Sequence, residues 1–317
     1  MLGARDVAAV LPMGACVEAL TLAFEESGRT AVRSFVGGVA AAQGKFHIKA
    51  ALREGERALF VAKTNANFPG NPARGLPTIQ GVVIVSDAQD GRLLALMDSM
   101  AITALRTAAA TAVAAKYLSR EASETLLICG CGAQAPAQLA AMLAVRRPKR
   151  VLAYDLDPAK AARLAGASVV SNLAKAVGES DIVVTCTSAR RYFVTREMVR
   201  PGTFIAAVGA DHEEKQEIEP QLMARAKVVT DLTEQAAAIG DLHHAIDAGA
   251  MHRDDVHAQL GEVVAGRKSG RARDDEITIF DSTGTGLQDA AAALAVYRRA
   301  SRERSSLTFD FSGGNPS

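Results

Sequence analysis

Residues 126–135 read Leu-Leu-Ile-Cys-Gly-Cys-Gly-Ala-Gln-Ala, and this stretch decides the fold. Its first four residues form an apolar run typical of a buried strand, and AQLAAMLAV (137–145) follows with a helical pattern. The spacing between them matches G-x-G-x-x-G/A, with Gly130 at the tight turn, Gly132 where the backbone approaches a pyrophosphate, and Ala135 in the third place. The stretch predicts the phosphate-binding turn of a Rossmann-type domain; a plain strand-to-helix turn is the alternative.

The next predicted strand, RVLAYD, ends in Asp155, which lies 25 residues after Gly130. A carboxylate near this position binds the ribose 2′-hydroxyl of NAD and repels the 2′-phosphate of NADP. Asp155 therefore makes the glycine pattern more specific and favours NAD as the cofactor. Arg146, Arg147 and Lys149 are close enough in sequence to keep NADP as an alternative.

Short apolar strands alternate with helical stretches between about residues 124 and 280. The strands are TLLICG (125–130), RVLAYD (150–155), IVVTCT (182–187), FIAAVG (204–209), KVVTD (227–231) and ITIFD (277–281). Such alternation predicts a doubly wound parallel sheet, so we assign residues 116–284 to an NAD-binding Rossmann domain. Thr187 closes one of these strands at the edge where open α/β sheets bind ligands, although an ordinary turn residue is the alternative.

The remaining segments predict a smaller α+β domain that binds the substrate. Residues 6–27 have helical spacing with Pro12 at a turn, which predicts two short helices. A mainly antiparallel sheet is predicted from FHIKAAL (46–52), ALFVAKTN (58–65), IQGVVIVSD (79–87) and LLALMD (93–98). We assign residues 1–115 to this domain, with residues 285–317 returning to it. The polar composition of residues 301–317 predicts little fixed structure.

Two cationic residues of this first domain are candidates for a functional role. Arg106 lies within AITALRTAAATAVAAKYL (101–118), a predicted helix that is apolar on nearly every face and must be buried. An unpaired buried guanidinium is unfavourable, so Arg106 requires an anionic partner or a wet cavity. Lys63 follows a strand and precedes a long loop rich in Pro, Gly and Asn, where functional side chains are often held; a surface lysine is the alternative.

The overall composition excludes several classes of protein. Lys and Arg total 36 against 35 Asp and Glu, a net charge of +1, so neither nucleic acid nor a membrane surface is an expected partner. No apolar run reaches the roughly 20 residues of a membrane span, and Asp6 and Glu18 interrupt the N-terminal region, so we expect a cytoplasmic protein. The four cysteines and six histidines lack the spacing of a zinc site, and no metal is expected.

Six motifs together resemble the ornithine cyclodeaminase/mu-crystallin family. They are Lys63 with NFPGNPARGLPTIQG (67–81), AITALRTAAA (101–110), GCGAQA (130–135), AVGADHEEKQEIEP (207–220), LGEVVAGRKSGR (260–271) and FDSTGTGLQD (280–289). The likeness runs from about residue 5 to about residue 300. It implies an NAD-dependent enzyme that acts at the α-carbon of a small amino or imino acid, and a homodimer built through the first domain.

The resemblance also implies roles for residues at matching positions. Arg33, Lys63 and Arg106 are expected to bind the substrate α-carboxylate. Asp211 is expected to be the catalytic acid and base, with Lys63 also in a catalytic role; a helix N-cap is the alternative for Asp211. The residues expected to contact the cofactor are Thr78, Arg106, Gly130, Gly132, Ala133, Gln134, Asp155, Thr187, Lys215 and Ser282.

One departure from the family concerns the substrate. Lys49 stands where many relatives have methionine, and a cation there would alter the pocket or contact a further anion, so Lys49 is also a substrate-binding candidate. The first hypothesis is oxidative cyclodeamination of ornithine to proline with release of ammonia. The alternatives are a pyrroline-2-carboxylate (ketimine) reductase, an alanine-type amino-acid dehydrogenase, and a non-catalytic binding protein of the mu-crystallin kind. The presence of Lys63, Arg106 and Asp211 disfavours the last of these.

Overall fold

The computed structural model describes residues 1–29, 33–54 and 58–303. They divide into two compact units. The first unit comprises residues 1–23, 33–54, 58–106 and 285–303, and the second comprises residues 24–29 and 107–284. The chain leaves the first unit after residue 106, nine residues before the predicted boundary at residue 115, and it returns at residue 285, as predicted.

The first unit is built on a five-stranded antiparallel sheet in the order β1-β2-β3-β4-β5. The strands are β1 (Arg33–Ala41), β2 (Gly44–Arg53), β3 (Leu59–Asn67), β4 (Ile79–Asp87) and β5 (Leu93–Asp98), and a 3-10 helix, Asn71–Arg74, follows β3. The four later strands were predicted. β1 was missed because its sequence, RSFVGGVAA, contains two adjacent glycines, which weaken a strand pattern.

α11 (Gly286–Glu303) packs on one face of this sheet, and α1 (Ala4–Val10) contacts β5 and α11. The other helices of this part of the chain are α2 (Met13–Arg29) and α3 (Ser99–Leu118), which both continue into the second unit. α11 packs on β2 and β3, and alternate residues of β3 that face it, including Leu59 and Val61, are buried. Two predictions need correction: α2 is a long helix rather than a short one, and α11 extends through residues 301–303. Residues 304–317, also predicted to lack fixed structure, lie outside the described residues.

The opposite face of the sheet carries large apolar side chains. Strand register places Phe35 and Val39 of β1, Phe46 of β2 and Phe60 of β3 together on this face. Their exposed fractions are 57%, 63%, 40% and 40%. We call these four residues the apolar face; an exposed apolar surface of this kind is typical of protein–protein interfaces.

The second unit is a parallel sheet with helices between its strands, in the order β14-β13-β15-β11-β9-β6-β7-β8. Its strands are β6 (Thr125–Cys129), β7 (Arg150–Tyr154), β8 (Ser168–Val169), β9 (Ile182–Thr185), β11 (Phe204–Ala207), β13 (Lys227–Thr230), β14 (Ala258–Gln259) and β15 (Thr278–Asp281). β10 (Arg190–Val194) and β12 (Gln216–Ile218) form a separate parallel pair. The helices are α4 (Ala135–Val145), α5 (Pro158–Ala162), α6 (Leu173–Glu179), α7 (Pro220–Arg225), α8 (Thr233–Ile239), α9 (Asp241–Asp247) and α10 (Leu260–Val264), with a 3-10 helix at Arg253–Asp255.

The sheet confirms the predicted doubly wound fold class. All six predicted strands are present, as β6, β7, β9, β11, β13 and β15, and the central strands β6, β9, β11 and β15 are buried along their whole length. The chain runs from β6 outward to β7 and β8 and then returns to β9, on the other side of β6. The carboxyl ends of β6 and β9 therefore form the topological switch point, where open α/β sheets bind ligands.

Within the described part of the chain, no single helix is both long and apolar enough to cross a membrane, although α1 and α2 together meet that test across a bend of 81°.

Candidate functional site

The turn after β6 requires glycine at residue 130. Gly130 has φ +91°, a conformation that other residues adopt rarely. A Cβ atom there would lie 2.7 Å from Thr187 Cγ2 and 2.9 Å from the carbonyl oxygen of Cys186. The turn is thus held directly against the residues that follow β9, at the switch point of the sheet.

The residues between this turn and α4 form a concave surface of backbone N–H groups. A Cβ on Gly132 would meet no atom within 4 Å, so the backbone there is open to a ligand. Among the described residues, the N–H groups of Gly132, Ala133 and Gln134 have no hydrogen-bond acceptor, and the buried Oε1 atom of Gln134 has no partner. Free N–H groups before a helix attract anions, so this surface fits a pyrophosphate.

Asp155 lies beside the glycine turn, at the carboxyl end of β7. Its Oδ2 accepts a hydrogen bond of 2.7 Å from the N–H of Cys131, and its Oδ1 accepts one of 2.9 Å from the N–H of Asp157. The carboxylate is half-buried, whereas the next side chain, Leu156, is 92% exposed. The oxygens keep lone pairs that can accept hydrogen bonds from a ribose.

The nearby cations that could favour a 2′-phosphate contact other parts of the unit. Arg146 follows α4 and donates from Nε to Ser119 Oγ at 2.9 Å. Lys149 Nζ pairs with Glu124, which precedes β6. Both cations therefore lie at the amino edge of the sheet, whereas Asp155 lies at its carboxyl edge.

Two further predicted cofactor contacts, Thr187 and Ser282, also lie at the carboxyl edge. Thr187 follows β9, and its Oγ1 donates to Glu217 Oε1 at 2.7 Å. Ser282 follows β15, and its Oγ donates to Asp231 Oδ2 at 3.1 Å. Each hydroxyl is thus held by a carboxylate.

Glu217 was not singled out from the sequence, yet it connects two loops at the carboxyl edge. It is fully buried and accepts four hydrogen bonds: from Thr185 Oγ1 (2.6 Å), from the N–H and Oγ1 of Thr187 (both 2.7 Å), and from the N–H of Gly209 (2.9 Å). Burial raises the pKa of Glu217, although these hydrogen bonds oppose the change. Glu217 therefore fixes the ends of β9 and β11 relative to each other.

Asp241 and Asp281 extend this buried acidic group. Asp241 Oδ1 accepts hydrogen bonds of 2.8 Å from the N–H groups of Glu217 and Ile218, and Asp281 Oδ2 accepts one of 2.8 Å from the N–H of Leu242. The second oxygen of each has no partner among the described residues. Burial, together with neighbouring carboxylates, raises the pKa of Asp281 to about 7 and that of Asp241 well above its usual range. Burial therefore favours the protonated form of these two carboxyls.

The predicted acid and base, Asp211, lies just after β11. Its Oδ1 accepts a hydrogen bond of 2.6 Å from Lys215 Nζ, so these two predicted site residues contact each other. The Asp211 side chain is exposed, and its N–H donates to the carbonyl of Gly209 at 3.1 Å. His244 Nε2 lies 2.9 Å from the carbonyl of Lys215 and supports the same loop.

A cluster of cations lies in the first unit. Lys63 is buried on β3, and its Nζ donates to Asp289 Oδ1 at 2.8 Å and to Thr103 Oγ1 at 3.2 Å. Arg106 is buried on α3; its Nε donates to the same Asp289 oxygen at 3.0 Å, and its Nη1 donates to Gln288 Oε1 at 2.9 Å. The anionic partner that Arg106 was predicted to need is therefore Asp289, which the sequence analysis did not identify.

Lys49 adds a third positive charge to this cluster. It stands directly opposite Lys63 in the pairing of β2 with β3, on the same face of the sheet. Burial lowers the pKa of Lys63 to about 7, and the charges of Arg106 and Lys49 add to this effect while Asp289 opposes it. Burial alone would raise the pKa of Asp289, but the three cations hold it below its usual value.

Two atoms of this cation cluster remain available to a ligand. Within the described residues Arg106 donates from Nε to Asp289 and from Nη1 to Gln288, while its Nη2 makes no hydrogen bond. Asp289 Oδ2 is buried and, within the same part of the chain, has no donor. The cations can therefore bind a carboxylate of a ligand, and Asp289 Oδ2 can accept a hydrogen bond from a donor of the same ligand.

Arg33 and Thr78 belong neither to the cation cluster nor to the predicted cofactor contacts at the carboxyl edge of the parallel sheet. Arg33 begins β1 with an exposed side chain, and its register with Leu52 places it on the face opposite Lys63. Thr78 is half-buried before β4, and its carbonyl accepts a hydrogen bond of 2.8 Å from the N–H of Phe68. Their roles in binding substrate and cofactor stay predictions.

Comparison with known proteins finds several solved structures with the same fold. Among solved structures, an archaeal alanine dehydrogenase dimer with bound NAD is 35% identical, with a TM-score of 0.93 over 98% of each chain. The Delta(1)-pyrroline-2-carboxylate reductase of Thermococcus litoralis, in complex with NADH and L-proline, is 29% identical, with a TM-score of 0.88 over 96% of this chain and 98% of that one. The iminosuccinate reductase of Paracoccus denitrificans, in complex with NAD+, is 34% identical, with a TM-score of 0.88 over 96% of each chain.

The model of one protein family matches residues 1–304, almost the whole chain. It is the family to which the six sequence motifs pointed. This chain belongs to the ornithine cyclodeaminase/mu-crystallin family.

Proposed function

We propose that this chain is an NAD-dependent oxidoreductase that interconverts a small amino acid and the corresponding imino acid. The observation that carries the proposal is the pair Lys63 and Arg106, two buried cations oriented by one carboxylate, Asp289, with Arg106 Nη2 still available. Such a pair can bind and orient an α-carboxylate through charge-assisted hydrogen bonds.

The proposed cofactor is NAD rather than NADP. The N–H groups of Gly132, Ala133 and Gln134 would bind the pyrophosphate, and Asp155 would accept a hydrogen bond from a ribose hydroxyl. The 2′-phosphate of NADP would approach the Asp155 carboxylate, and the contacts of Arg146 and Lys149 lie at the other edge of the sheet. When bound, NAD would supply hydride-transfer chemistry at the substrate α-carbon.

The protein residues supply position and a proton. Lys63 and Arg106 hold the α-carboxylate, and Asp289 keeps both cations in place. Asp211 gives a proton to the substrate nitrogen, or takes one from it, as imine and amine interconvert. The hydrogen bond from Lys215 orients the Asp211 carboxylate for this role.

Oxidative cyclodeamination of ornithine is the second candidate function. The family takes its name from this activity, and the same α-carboxylate contacts would serve it. The side chain of ornithine ends in an ammonium group, however, and the charge of Lys49 opposite Lys63 would repel a cation bound nearby. We therefore favour the reductase or dehydrogenase reaction.

Assembly as a homodimer through the apolar face is part of this proposal. Phe35, Val39, Phe46 and Phe60 form an apolar surface that a second copy could cover. The archaeal alanine dehydrogenase, to which the chain is similar, is a dimer.

The absorbance of NADH distinguishes the two reactions. A reductase given pyruvate with ammonium, or pyrroline-2-carboxylate, consumes NADH in proportion to the amino acid formed. A cyclodeaminase given ornithine and NAD releases ammonia and proline without a net change in NADH. A purified protein that binds NADH but carries out neither reaction would contradict the proposed function.

A further inference from the structure

We propose that Glu217 is a positioning residue for the cofactor: it holds the proton of the Thr187 hydroxyl, so that this hydroxyl can only accept a hydrogen bond, from a donor on the nicotinamide half of NAD. Both residues belong to the second unit. The inference rests on the proposed function, because it concerns the same cofactor, and it names the kind of group that Thr187 recognises.

The hydrogen bonds of Glu217 show which way the Thr187 hydroxyl points. Oε1 of Glu217 accepts from the N–H and from Oγ1 of Thr187, both at 2.7 Å. Oε2 accepts from Thr185 Oγ1 at 2.6 Å and from the N–H of Gly209 at 2.9 Å. Each oxygen thus has two donors, which is the full capacity of an ionised carboxyl group. The backbone N–H groups can only donate, so all four contacts are satisfied when both hydroxyls also direct their protons at Glu217.

The Thr187 hydroxyl therefore has one site left for a ligand, and that site is an acceptor. A hydroxyl has one hydrogen and two lone pairs. The hydrogen is donated to Glu217, and one lone pair accepts the N–H of Ala189 at 3.1 Å. The other lone pair has no donor among the residues that the structure describes. The Thr187 side chain is half-buried, whereas Thr185 is fully buried, so only Thr187 can reach a ligand.

The place of Thr187 in the sheet limits which part of the cofactor it meets. Thr187 follows β9, which lies directly beside β6, and its Cγ2 lies 2.7 Å from the position of a Cβ on Gly130. The proposed pyrophosphate site belongs to this same turn after β6. Asp155, the proposed ribose contact of the adenosine half, lies on the other side of the turn, after β7. The nicotinamide half continues from the pyrophosphate away from Asp155, and therefore lies on the Thr187 side.

Only a donor in this half matches the remaining lone pair. The ionised oxygens of the pyrophosphate carry no hydrogen, so they cannot be its partner. The nicotinamide half has donors in two places, the hydroxyls of its ribose and the amino group of its carboxamide, and both supply an O–H or N–H hydrogen. Because the Thr187 hydroxyl donates to a carboxylate, its oxygen is a stronger acceptor than that of an ordinary hydroxyl.

The test compares the wild type with Thr187→Val, Thr187→Ser and Thr185→Val. Thr187→Val removes the hydroxyl, whereas Thr187→Ser keeps it. Thr185→Val is the matched control, because it removes the other hydroxyl that Glu217 accepts, at a buried position. Calorimetry measures the Kd for NADH, its reduced 3-acetylpyridine analogue, ADP-ribose and ADP. The analogue lacks the amide N–H groups, ADP-ribose lacks nicotinamide, and ADP lacks the whole nicotinamide half.

Thr187→Val should raise the Kd for NADH about ten-fold and leave that for ADP unchanged, while Thr187→Ser and Thr185→Val keep both values within about two-fold. If a ribose hydroxyl is the donor, the same loss appears with the analogue and with ADP-ribose. If the carboxamide is the donor, the loss is confined to NADH.

Three results would overturn the inference and leave the proposed function intact. The first is a loss with NADH and the analogue but not with ADP-ribose, because Thr187 would then donate to the carbonyl that both cofactors share. The second is an equal loss with ADP, which would show a general structural defect. The third is no loss with any ligand. A wild type that binds no NADH would contradict the proposed function itself.

A double-mutant cycle tests the role of Glu217. Glu217→Gln replaces one carboxylate oxygen with an NH2 group, so the anion that holds the Thr187 proton is lost. This variant should weaken NADH binding relative to ADP, and adding Thr187→Val should cause little further loss, because both changes act through one contact. Additive losses would overturn the positioning role. If Glu217→Gln does not fold, the ligand series with Thr187→Val still decides whether the hydroxyl is only an acceptor.

Discussion

Lys63 Nζ lies 2.8 Å from Asp289 Oδ1, and this contact joins two buried side chains that are 226 positions apart in the chain. The same oxygen accepts a hydrogen bond from Arg106 Nε. Removing one partner of a buried ion pair leaves an uncompensated charge in the interior, which is strongly unfavourable. Asp289 lies on α11, so the packing of α11 supplies the negative charge that compensates the buried cations of β3 and α3.

Asp289→Asn should weaken substrate binding and change its pH dependence. The charge of Asp289 opposes the lowering of the Lys63 pKa. Without that charge the pKa of Lys63 falls from about 7 to a lower value. Neutral Lys63 cannot pair with a carboxylate, so KM should rise about ten-fold or more at neutral pH, and its alkaline increase should begin at a lower pH than in the wild type. Steady-state kinetics across pH check this.

The control for this variant is Asp90→Asn, which removes an exposed carboxylate from the same unit. It should keep the wild-type profile. A profile for Asp289→Asn that rises in KM without shifting along the pH axis would show that Asp289 does not set the charge of Lys63.

Asp155→Asn should reduce the preference for NADH over NADPH. The substitution removes the charge that would repel a 2′-phosphate and weakens the acceptor for a ribose hydroxyl. We expect the Kd for NADH to rise about ten-fold, since hydrogen bonds to charged groups contribute about 1.5–3 kcal/mol, while NADPH binding should not weaken. Fluorescence titration measures both. Asp157→Asn, a helix N-cap two residues later, is the matched control and should keep the wild-type preference.

Asp211→Asn should abolish turnover and leave NADH binding nearly intact, because an amide cannot transfer the proton that the reaction needs. Glu214→Gln changes an exposed carboxylate of the same loop that pairs with Arg190, and it serves as the control. Single-turnover kinetics and NADH titration distinguish a chemical defect from a binding defect. Unchanged turnover in Asp211→Asn would remove this residue from the mechanism.

The buried carboxyls should make the stability of the protein depend on pH. The pKa of Asp281 is about 7 in the folded protein against an ordinary value of 3.8, so the folded state retains a proton that the unfolded chain releases. Stability from this group is complete below an ordinary carboxyl pKa, and it is lost as the pH rises through about 7. The loss amounts to a few kcal/mol at most, since one pKa unit corresponds to about 1.4 kcal/mol.

Asp281→Asn tests this because an amide does not titrate. The free energy of unfolding of the wild type minus that of the variant should decrease between about pH 4 and pH 7, a range set by the two pKa values. Denaturant titrations at several pH values measure it, with the exposed Asp254→Asn as control. A difference that does not vary with pH would show that Asp281 is ionised throughout.

Val39→Glu should dissociate the proposed homodimer. A carboxylate in the apolar face would have to be desolvated in the interface. Leu143→Glu places the same charge on an exposed apolar position of α4 in the second unit, and it should remain dimeric. Sedimentation velocity of both variants, with circular dichroism to verify folding, checks this. Equal mass for Val39→Glu and wild type would exclude this face as the interface.

Much of the second unit was predictable because its signals are local. Apolar runs, the glycine spacing from Gly130 and the position of Asp155 all follow from neighbouring residues, and the structure confirms the fold class that they indicate. The need for a partner to Arg106 could also be inferred from the apolar helix around it. Its identity could not, because Asp289 is 183 positions away and only tertiary folding brings the two together.

Glu217 shows a second limit of the sequence. The stretch AVGADHEEKQEIEP contains five acidic residues with no periodicity that separates them. In the structure Glu217 is fully buried, whereas Asp211, Glu213 and Glu214 are exposed. Which one turns inward depends on the hydrogen-bond donors at the ends of β9 and β11, which become neighbours only in the folded sheet.

Ribosomal synthesis delivers Asp289 last among the groups of the cation cluster. Residues 107–284 have been made before residues 285–303 are translated, and units of this kind generally fold as they emerge. The ion pairs of Lys63 and Arg106 with Asp289 can therefore form only when translation is almost finished. A chain that stops before α11 lacks the counter-charge that burial of these two cations requires, so we expect it not to complete the first unit.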